Sequence, residues 1–354
     1  MTLARLVEQV RDAASRNAPL CIVGGGTKTF YGRNADCNAA ERLETSDYAG
    51  IVDYQPSELV ITARAGTRLA DIEAELASNR QMLGFEPPAL GSASTLGGVI
   101  ASGLSGPGRP YRGSVRDHVL GVEIINGRGE VLRFGGQVMK NVAGYDIARL
   151  VAGSLGTLGI ITEISVRVLP CAATERTLSW TLAAADARLR LGELPRQPWP
   201  ITAFAWVDGC LRARVSGSQA AVDAAVSGLH PDTVTDDDPF WRAVRDLEHP
   251  AFDLAPGQVL WRLSLPPAAP DPVQHPSTLL DWGGAQRWLV AGSLGDDLRR
   301  HCHALGGHVT GFRGDRSSDV FEPLSAPLQA LTERVKQAFD PTRILNPGRL
   351  YSWI

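Results

Sequence analysis

Leu20-Cys-Ile-Val-Gly-Gly-Gly-Thr-Lys-Thr-Phe-Tyr-Gly32 is the stretch whose reading decides the fold. Four apolar residues running straight into three glycines read as a short buried strand that ends in a tight turn. Consecutive glycines let successive backbone N–H groups turn toward one point and form a nest for a phosphate. The stretch fails as a Rossmann fingerprint, because Gly24 and Gly26 are present but Thr29 stands where a third glycine is required. It also fails as a Walker loop, since Thr27 precedes Lys28 where glycine is needed. On its own it reads equally well as a turn without chemistry.

Outward from here the apolar pattern lays out a first domain. Leu3, Leu6, Val7 and Val10 have helical spacing and predict a helix ending near residues 17–19. Residues 51–54 and 58–63 read as strands separated by Gln55-Pro56-Ser57. Thr67 is placed to cap a helix carrying Leu69, Ile72 and Leu76 on one face. Residues 119–126 and 130–134 form a predicted hairpin around Gly127-Arg128-Gly129. A helix with Ile147, Leu150 and Val151 and a strand over 160–168 follow. Residues 84–113 are packed with glycine, proline and serine, and a loop that long inside a compact domain is usually functional. Within it Ser94 or Thr95 can cap a short helix, and Gly97-Gly98 permits a flat ring or a diphosphate to approach the backbone. Leu96, Val99, Ile100 and Leu104 are too many apolar residues for a mere linker. Two glycine-rich segments in one domain point to a large phosphorylated cofactor.

From Cys171 the texture changes to Ala/Leu/Arg segments with proline clusters at 195–200 and 266–276. Strand-like residues 201–207 and 211–215 flank Asp208-Gly209, a hairpin signal. Helical segments near 219–228, 240–247 and 296–305 alternate with strands over 259–265 and 287–291. The chain therefore divides into an α/β domain over 1–170, an antiparallel α+β domain over 171–320, and a C-terminal helix and tail over 321–354. No internal repeat stands out. A composition of 44% hydrophobic and 21% charged residues is that of a soluble globular protein. A net charge of −3 lacks the basic excess of a nucleic-acid binder. No apolar run reaches the ~18–20 residues of a membrane span, and the amphipathic, charged start has no signal core. Cys21, Cys37, Cys171, Cys210 and Cys302 are too dispersed for a zinc or iron–sulfur site and read as reduced, mostly buried thiols of a cytosolic protein.

Gly24-Gly-Gly-Thr-Lys28, Thr95-Leu-Gly-Gly98, Lys140-Asn-Val-Ala-Gly-Tyr-Asp146, Gly153-Ser-Leu-Gly-Thr-Leu-Gly-Ile-Ile-Thr162 and Asn346-Pro-Gly-Arg349 keep the order they have in the vanillyl-alcohol-oxidase, or PCMH, type of FAD-dependent oxidoreductases. The chain resembles most closely the FAD-binding subunits of bacterial glycolate oxidases. The motifs cover residues 20–170 and 339–351, and between 171 and 320 the resemblance is loose. It implies an α+β protein: a PCMH-type FAD-binding domain of two α/β subdomains, a ferredoxin-like antiparallel cap domain, and a tail returning to the FAD domain. It implies that Gly24, Gly25, Gly26, Thr27 and Lys28 bind the FAD pyrophosphate. Pro88, Ser94, Thr95, Gly97, Gly98, Ser102, Gly103, Ser105, Arg109, Tyr111 and Gly113 would follow diphosphate and flavin. Gly159, Ile160 and Ile161 fall at the adenine end, and Asn346 completes the set. Relatives with covalent FAD carry a histidine after the first loop or a cysteine in the second. Here stand Thr27-Lys28 and no cysteine between Cys37 and Cys171, which implies noncovalent FAD. The resemblance further implies a homologous catalytic flavin subunit and a separate iron–sulfur subunit as partners, and a small 2-hydroxy acid as substrate. The expected location is the cytoplasm, or the inner face of the cell membrane through those partners.

Catalytic relatives carry Gly-Glu-His-Gly late in the cap. In Gly306-Gly-His-Val-Thr-Gly-Phe-Arg-Gly314, Phe312-Arg313 replaces that Glu-His pair, so no catalytic residue and no metal ligand is assigned. Two roles stay open. One is oxidation of glycolate to glyoxylate at this chain's own flavin, with electrons passed to an external acceptor. The other is a relay or structural flavin, or a scaffold with a vestigial site, beside a catalytic partner. Arg313 and Arg316 are candidates to hold a substrate carboxylate bidentately, or equally to be salt-bridged loop arginines. His301 and His303, two apart on a predicted helix, point to different sides and read as surface histidines.

Overall fold

The structure is a computed structural model that describes residues 1–34, 40–137, 144–236, 238–271, 277–292, 295–314 and 320–354. Two compact units make it up: Met1–Leu104, Ser114–Pro170 and Arg316–Ile354 in the first, Ser105–Gly113 and Cys171–Asp315 in the second.

The first unit has two layers of core. The helix Leu3–Arg16 is capped by the Thr2 hydroxyl and ended by Asn17 in the left-handed region. Its Leu6, Val10 and Ala13 bury against β1 (Leu20–Val23), β2 (Glu41–Glu44) and the tail residues Ile344 and Leu345. β1 and β2 pair in parallel, and Leu345 bridges to Leu20 on the other side. The larger layer is built from β3 (Ile51–Gln55), β4 (Val60–Arg64), β6 (Val119–Ile125), β7 (Val131–Gly135) and β8 (Ile160–Arg167). These run antiparallel in the order β3-β4-β8-β6-β7, while β5 (Gln81–Met82) pairs with β9 (Leu169–Pro170). The helices Leu69–Ser78 and Leu96–Ser102 bury Leu69, Ile72, Leu76, Leu96, Val99 and Ile100 in the core of that sheet. Thr67 does not cap the first of these helices, as its sequence position suggests. Its hydroxyl accepts from Gly50 N–H and donates to the Arg64 carbonyl, and Arg68 takes the cap position without a side-chain bond.

The second unit is one antiparallel sheet of eight strands: β10 (Thr174–Thr181), β11 (Ile201–Val207), β12 (Cys210–Gly217), β13 (Thr233–Thr235), β14 (Val259–Ser264), β15 (Leu279–Asp281), β16 (Gln286–Ala291) and β17 (His308–Arg313). Its order is β13-β10-β12-β11-β15-β16-β14-β17. Each half places its fourth, first, third and second strands in that sequence from the outer edge inward, and the halves join at β11 and β15. The first half is a ferredoxin-like βαββαβ unit, with the helices Ala184–Glu193 and Gln219–Leu229 on its apolar face. In the second half the helix Gly295–Ala304 packs Leu298 and Cys302 on Val259, Leu263 and Val309. This is a repeat of topology that the sequence reading did not show, because strand order is set by non-local pairing and many orders satisfy the same apolar alternation.

Ser105–Gly113 packs with this sheet, although the sequence division kept it in the first domain. The Trp282 indole N–H donates to Gly106 O at 3.0 Å and the Arg109 guanidinium lies 4.3 Å from the center of the Trp282 ring. Tyr111 meets Phe204 edge-on, and Arg112 reaches Ser216 Oγ at 3.4 Å and Glu175 at 3.5 Å. The expectation of five reduced, mostly buried thiols also needs correction. Cys21 is disulfide-bonded, Cys171 is exposed, Cys210 half-buried and Cys302 buried. Cys37 lies outside the described residues. The expectation rested on spacing along the chain, which does not report neighbours in space.

Candidate cofactor-binding site

A cleft in the first unit opens where β1 ends. Its walls are Ile22 and Val23, the loop from Gly24 to Thr29, Thr45, Thr95, Gly97, Gly98, Ala101, Ser102, Leu155, Gly156, Gly159, Ile161, Asn346 and Arg349. The two glycine segments are pressed together there. A side chain on Gly25 would run into the Ala93 carbonyl, and one on Gly24 would meet Thr95 Oγ1 at 2.5 Å. Gly26 has φ +72°, the left-handed region that favours glycine. Among the described residues, the backbone N–H groups of Gly24, Gly25, Gly26 and Thr27 donate no hydrogen bond. These residues are exposed or half-buried on the cleft wall, so their N–H groups are open to a ligand or to water. Four in a row, with the cations of Lys28 and Arg349 on the same wall, make a donor set for an anionic group such as a diphosphate.

The opposite wall is the helix Leu96–Ser102. Thr95 caps it, accepting from Gly98 N–H at 3.3 Å, and Gly97 N–H donates to Ala65 O at 2.8 Å. A Cβ on Gly98 would meet only Thr95 Oγ1, at 3.3 Å, so the space around that position is open. Lys28 Nζ ties the two segments by donating to Ser94 Oγ at 2.8 Å and Ala89 O at 3.1 Å. The tail closes the third side. Asn346 accepts from Ile22 N–H and donates to Leu155 O, each at 2.7 Å. Behind it, fully buried Lys336 donates to Thr157 O at 2.7 Å, Asp340 Oδ2 at 2.8 Å and Leu345 O at 3.0 Å. Asp340 in turn accepts from Ile344 and Leu345 N–H. Burial pulls the Lys336 pKa below its ordinary value, and the Asp340 carboxylate opposes that shift.

Of the residues assigned from sequence, Gly24, Gly25, Gly26, Thr27, Lys28, Thr95, Gly97, Gly98, Ser102, Gly159, Ile161 and Asn346 come together on this cleft. Ser94 stands behind it as the partner of Lys28, Pro88 is buried, and Gly103 ends the helix with φ +67°. Ile160 is part of the core around Leu6 and Val10. Ser105, Arg109, Tyr111 and Gly113 fall in the second unit, where their segment is held on the sheet by the contacts of Trp282, Phe204, Glu175 and Ser216. Sequence reasoning missed Ile22, Val23, Thr29, Thr45, Ala101, Leu155, Gly156 and Arg349. Arg349 stood in a motif already singled out. Thr45 arrives only through the pairing of β2 with β1, which no local signal announces.

Arg313 is on a strand, β17, not in a loop, and its guanidinium donates to Phe252 O at 2.6 Å. Phe312 beside it is buried edge-on to Trp288, with ring centers 5.0 Å apart. Arg316 and residues 140–143 of the third motif lie outside the described residues. Among the described residues no three His, Cys, Asp or Glu side chains gather into a metal-holding group.

Comparison with known proteins identifies the family. Residues 2–135 match the family model described as FAD binding domain. Along 347 residues the chain is 45% identical to glycolate oxidase subunit GlcE of Escherichia coli strain K12, covering 98% of this chain and 97% of that one. The chain belongs to the GlcE family. It is a PCMH-type flavoprotein of the FAD-dependent oxidoreductases, and its cofactor is FAD. It is also 35% identical to glycolate oxidase subunit GlcD of Bacillus subtilis strain 168 over 128 residues, which is 36% of this chain and 27% of that one. Its fold is that of alkyldihydroxyacetonephosphate synthase, with a TM-score of 0.66 at 15% identity over 97% of this chain and 74% of the other. The cleft fits the cofactor: unpaired N–H donors and two cations suit a diphosphate, and the open space at Gly98 is where a side chain would intrude.

Proposed function

We propose that this chain is the FAD-holding subunit of a complex that oxidises glycolate to glyoxylate. The observation that carries the reading is the row of unpaired N–H groups from Gly24 to Thr27 between Lys28 and Arg349. Those groups would hold the diphosphate, while Gly97, Gly98 and Ser102 would flank the flavin side and Gly159 and Ile161 the adenine side. Thr27-Lys28 offers no attachment atom of the family kind, so the cofactor is held without a covalent bond. Bound FAD supplies two-electron acceptance. Among the described residues no cysteine set gathers to hold a cluster, and in this reading the electrons leave to an external acceptor through a homologous flavin subunit and an iron–sulfur subunit. Among the described residues no helix is long and apolar enough to cross a membrane. We place the chain in the cytoplasm or at the inner face of the membrane, through those partners.

The β17 segment favours a division of labour in which a catalytic partner does the proton abstraction. A general base must reach the proton it removes, and good placement typically supplies ~100- to 10,000-fold in rate. Arg313 offers only donors and already donates to Phe252 O. Two measurements test the reading. Gly98→Leu should weaken FAD binding roughly 5- to 150-fold, the cost of ~1–3 kcal/mol for a bulky side chain in a close contact; a folded variant with unchanged affinity overturns the site. The isolated, flavin-loaded chain mixed anaerobically with excess glycolate should bleach slowly. His308, the histidine of the same β17 segment, is the substitute base to exclude: complete reduction within seconds, abolished by His308→Ala, would make this subunit a catalyst in its own right.

A further inference from the structure

Arg349 has no role in the reading above beyond its charge, yet its contacts are specific. Nη2 donates to the carbonyls of Thr29 and Tyr31, each at 2.6 Å, and reaches Lys28 O at 3.5 Å, while Nη1 donates to Arg33 O at 2.9 Å. The carbonyl of Arg349 accepts the Arg33 N–H at 3.0 Å, closing the contact from the other direction. One planar fork, more than 300 residues away in the chain, thus gathers the acceptors of the loop that follows the three glycines. The donors just upstream, at Gly24 to Thr27, are the groups left without partners.

We propose that Arg349 is a positioning residue for the cofactor diphosphate. It fixes the carbonyls of residues 28–33 on its own side, so that the N–H groups of residues 24–27 stand presented before the cofactor arrives. The inference rests on reading the cleft as the diphosphate site. Geometry at Gly32 supports it: with φ +91°, a side chain there would press on Leu155 Cδ1 at 2.8 Å and Arg349 O at 3.0 Å, so tail and loop are in direct backbone contact. The tail is itself held independently of Arg349, by Asn346 on Ile22 and Leu155, by Lys336 on Leu345 O, and by Tyr351 Oη on Glu322 O at 3.0 Å. A preformed site avoids an ordering cost that the cofactor would otherwise bear. Lysine cannot replace the fork, because an ammonium is a compact charge without the planar array of donors that spans several carbonyls.

The test uses the full chain, stripped of FAD, as wild type and as Arg349→Lys. FAD affinity is read from flavin fluorescence, ADP affinity from displacement of FAD, and backbone protection from hydrogen exchange. Arg349→Lys should weaken FAD and ADP by the same factor, ~10- to 100-fold, about the worth of one charge-assisted hydrogen bond. Residues 28–33 should exchange faster while residues 344–348 keep wild-type protection. Affinity within 3-fold of wild type would show that positive charge alone suffices. Loss of FAD without loss of ADP would place the effect away from the diphosphate, and loss of protection over 344–348 would reduce Arg349 to a structural tie; each overturns the proposal. Failure of ADP to displace FAD from the wild-type chain instead overturns the site reading beneath it.

Discussion

Lys336→Met is the sharpest test of how the tail builds the cleft. The substitution keeps the length of the side chain and removes the ammonium. Three acceptors then lose their donor: Thr157 O, Leu345 O and the Asp340 carboxylate, the last of them fully buried. Asp340 keeps the Ile344 and Leu345 N–H bonds, but its charge is left uncompensated in the core. Breaking a buried pair from one side typically costs ~3–5 kcal/mol. For a domain of roughly 150–250 residues, at ~2–4 °C per kcal/mol, the midpoint of the first unit should fall by roughly 6–20 °C. Because Ile344 and Leu345 lead directly into Asn346, FAD affinity should fall with it. Adding Asp340→Asn should recover part of the loss, since the neutral amide strands no charge and its one oxygen still accepts from one of the two N–H groups. Thermal unfolding of apo and FAD-loaded protein, with an FAD titration, reads both effects. A fall below about 2 °C with FAD affinity intact would refute the argument that this pair holds the cleft together.

Heat or acid should release all the yellow colour into the supernatant at one FAD per chain, and flavin that stays with the precipitated polypeptide would show an attachment that Thr27-Lys28 does not provide. His249 should make the second unit less stable in mild acid. Its Nδ1 accepts the Ala251 N–H at 3.2 Å, and burial between Phe240 and Phe252 pushes its pKa below the ordinary 6.5. The unfolded chain therefore binds the proton at higher pH than the folded one, so stability is present above 6.5 and is lost as pH falls from there toward the depressed folded value. His249→Asn, which keeps a capping acceptor without titrating there, should flatten that part of the midpoint-versus-pH curve; an identical slope in wild type and variant would count against this account.

Local features of the fold were legible. The helix Leu3–Arg16, the strand Leu20–Val23, the hairpin of β6 and β7 and the cap at Thr95 follow from apolar spacing, turn glycines and a hydroxyl before a helix. The glycine loops announced an anion site because their chemistry is carried by the backbone at consecutive positions. What could not be read was set by distant partners. Thr67 looked like a cap, but two better bonds to Gly50 and Arg64 took its hydroxyl. β17 looked like a loop because Gly311 and Gly314 flank Phe312-Arg313, yet pairing with β14 makes it an edge strand. Arg349 carried no signal of its task, since its partners are carbonyls, which every residue has.

The stretch from Thr95 to Gly113 shows why glycine content misleads about order. Read as composition it is a flexible loop, and read as structure it is gripped along its length. Gly97 is small so that the helix can lie against Ala65, where a Cβ would come within 2.7 Å of the Ala65 Cβ. Gly103 is small so that the chain can turn over Gly153, whose Cα would stand 2.9 Å from an added Cβ. Gly106 offers its carbonyl to Trp282, and Arg109, Tyr111 and Arg112 then fasten the segment to the second sheet. Glycine here buries backbone against backbone, and its conformational freedom is spent only at Gly103 and Gly113, where φ is +67° and +94°. The same logic explains why the apolar residues Leu96, Val99 and Ile100 sit among the glycines: they anchor the helix in the core while Gly98 is left open on the wall of the cleft.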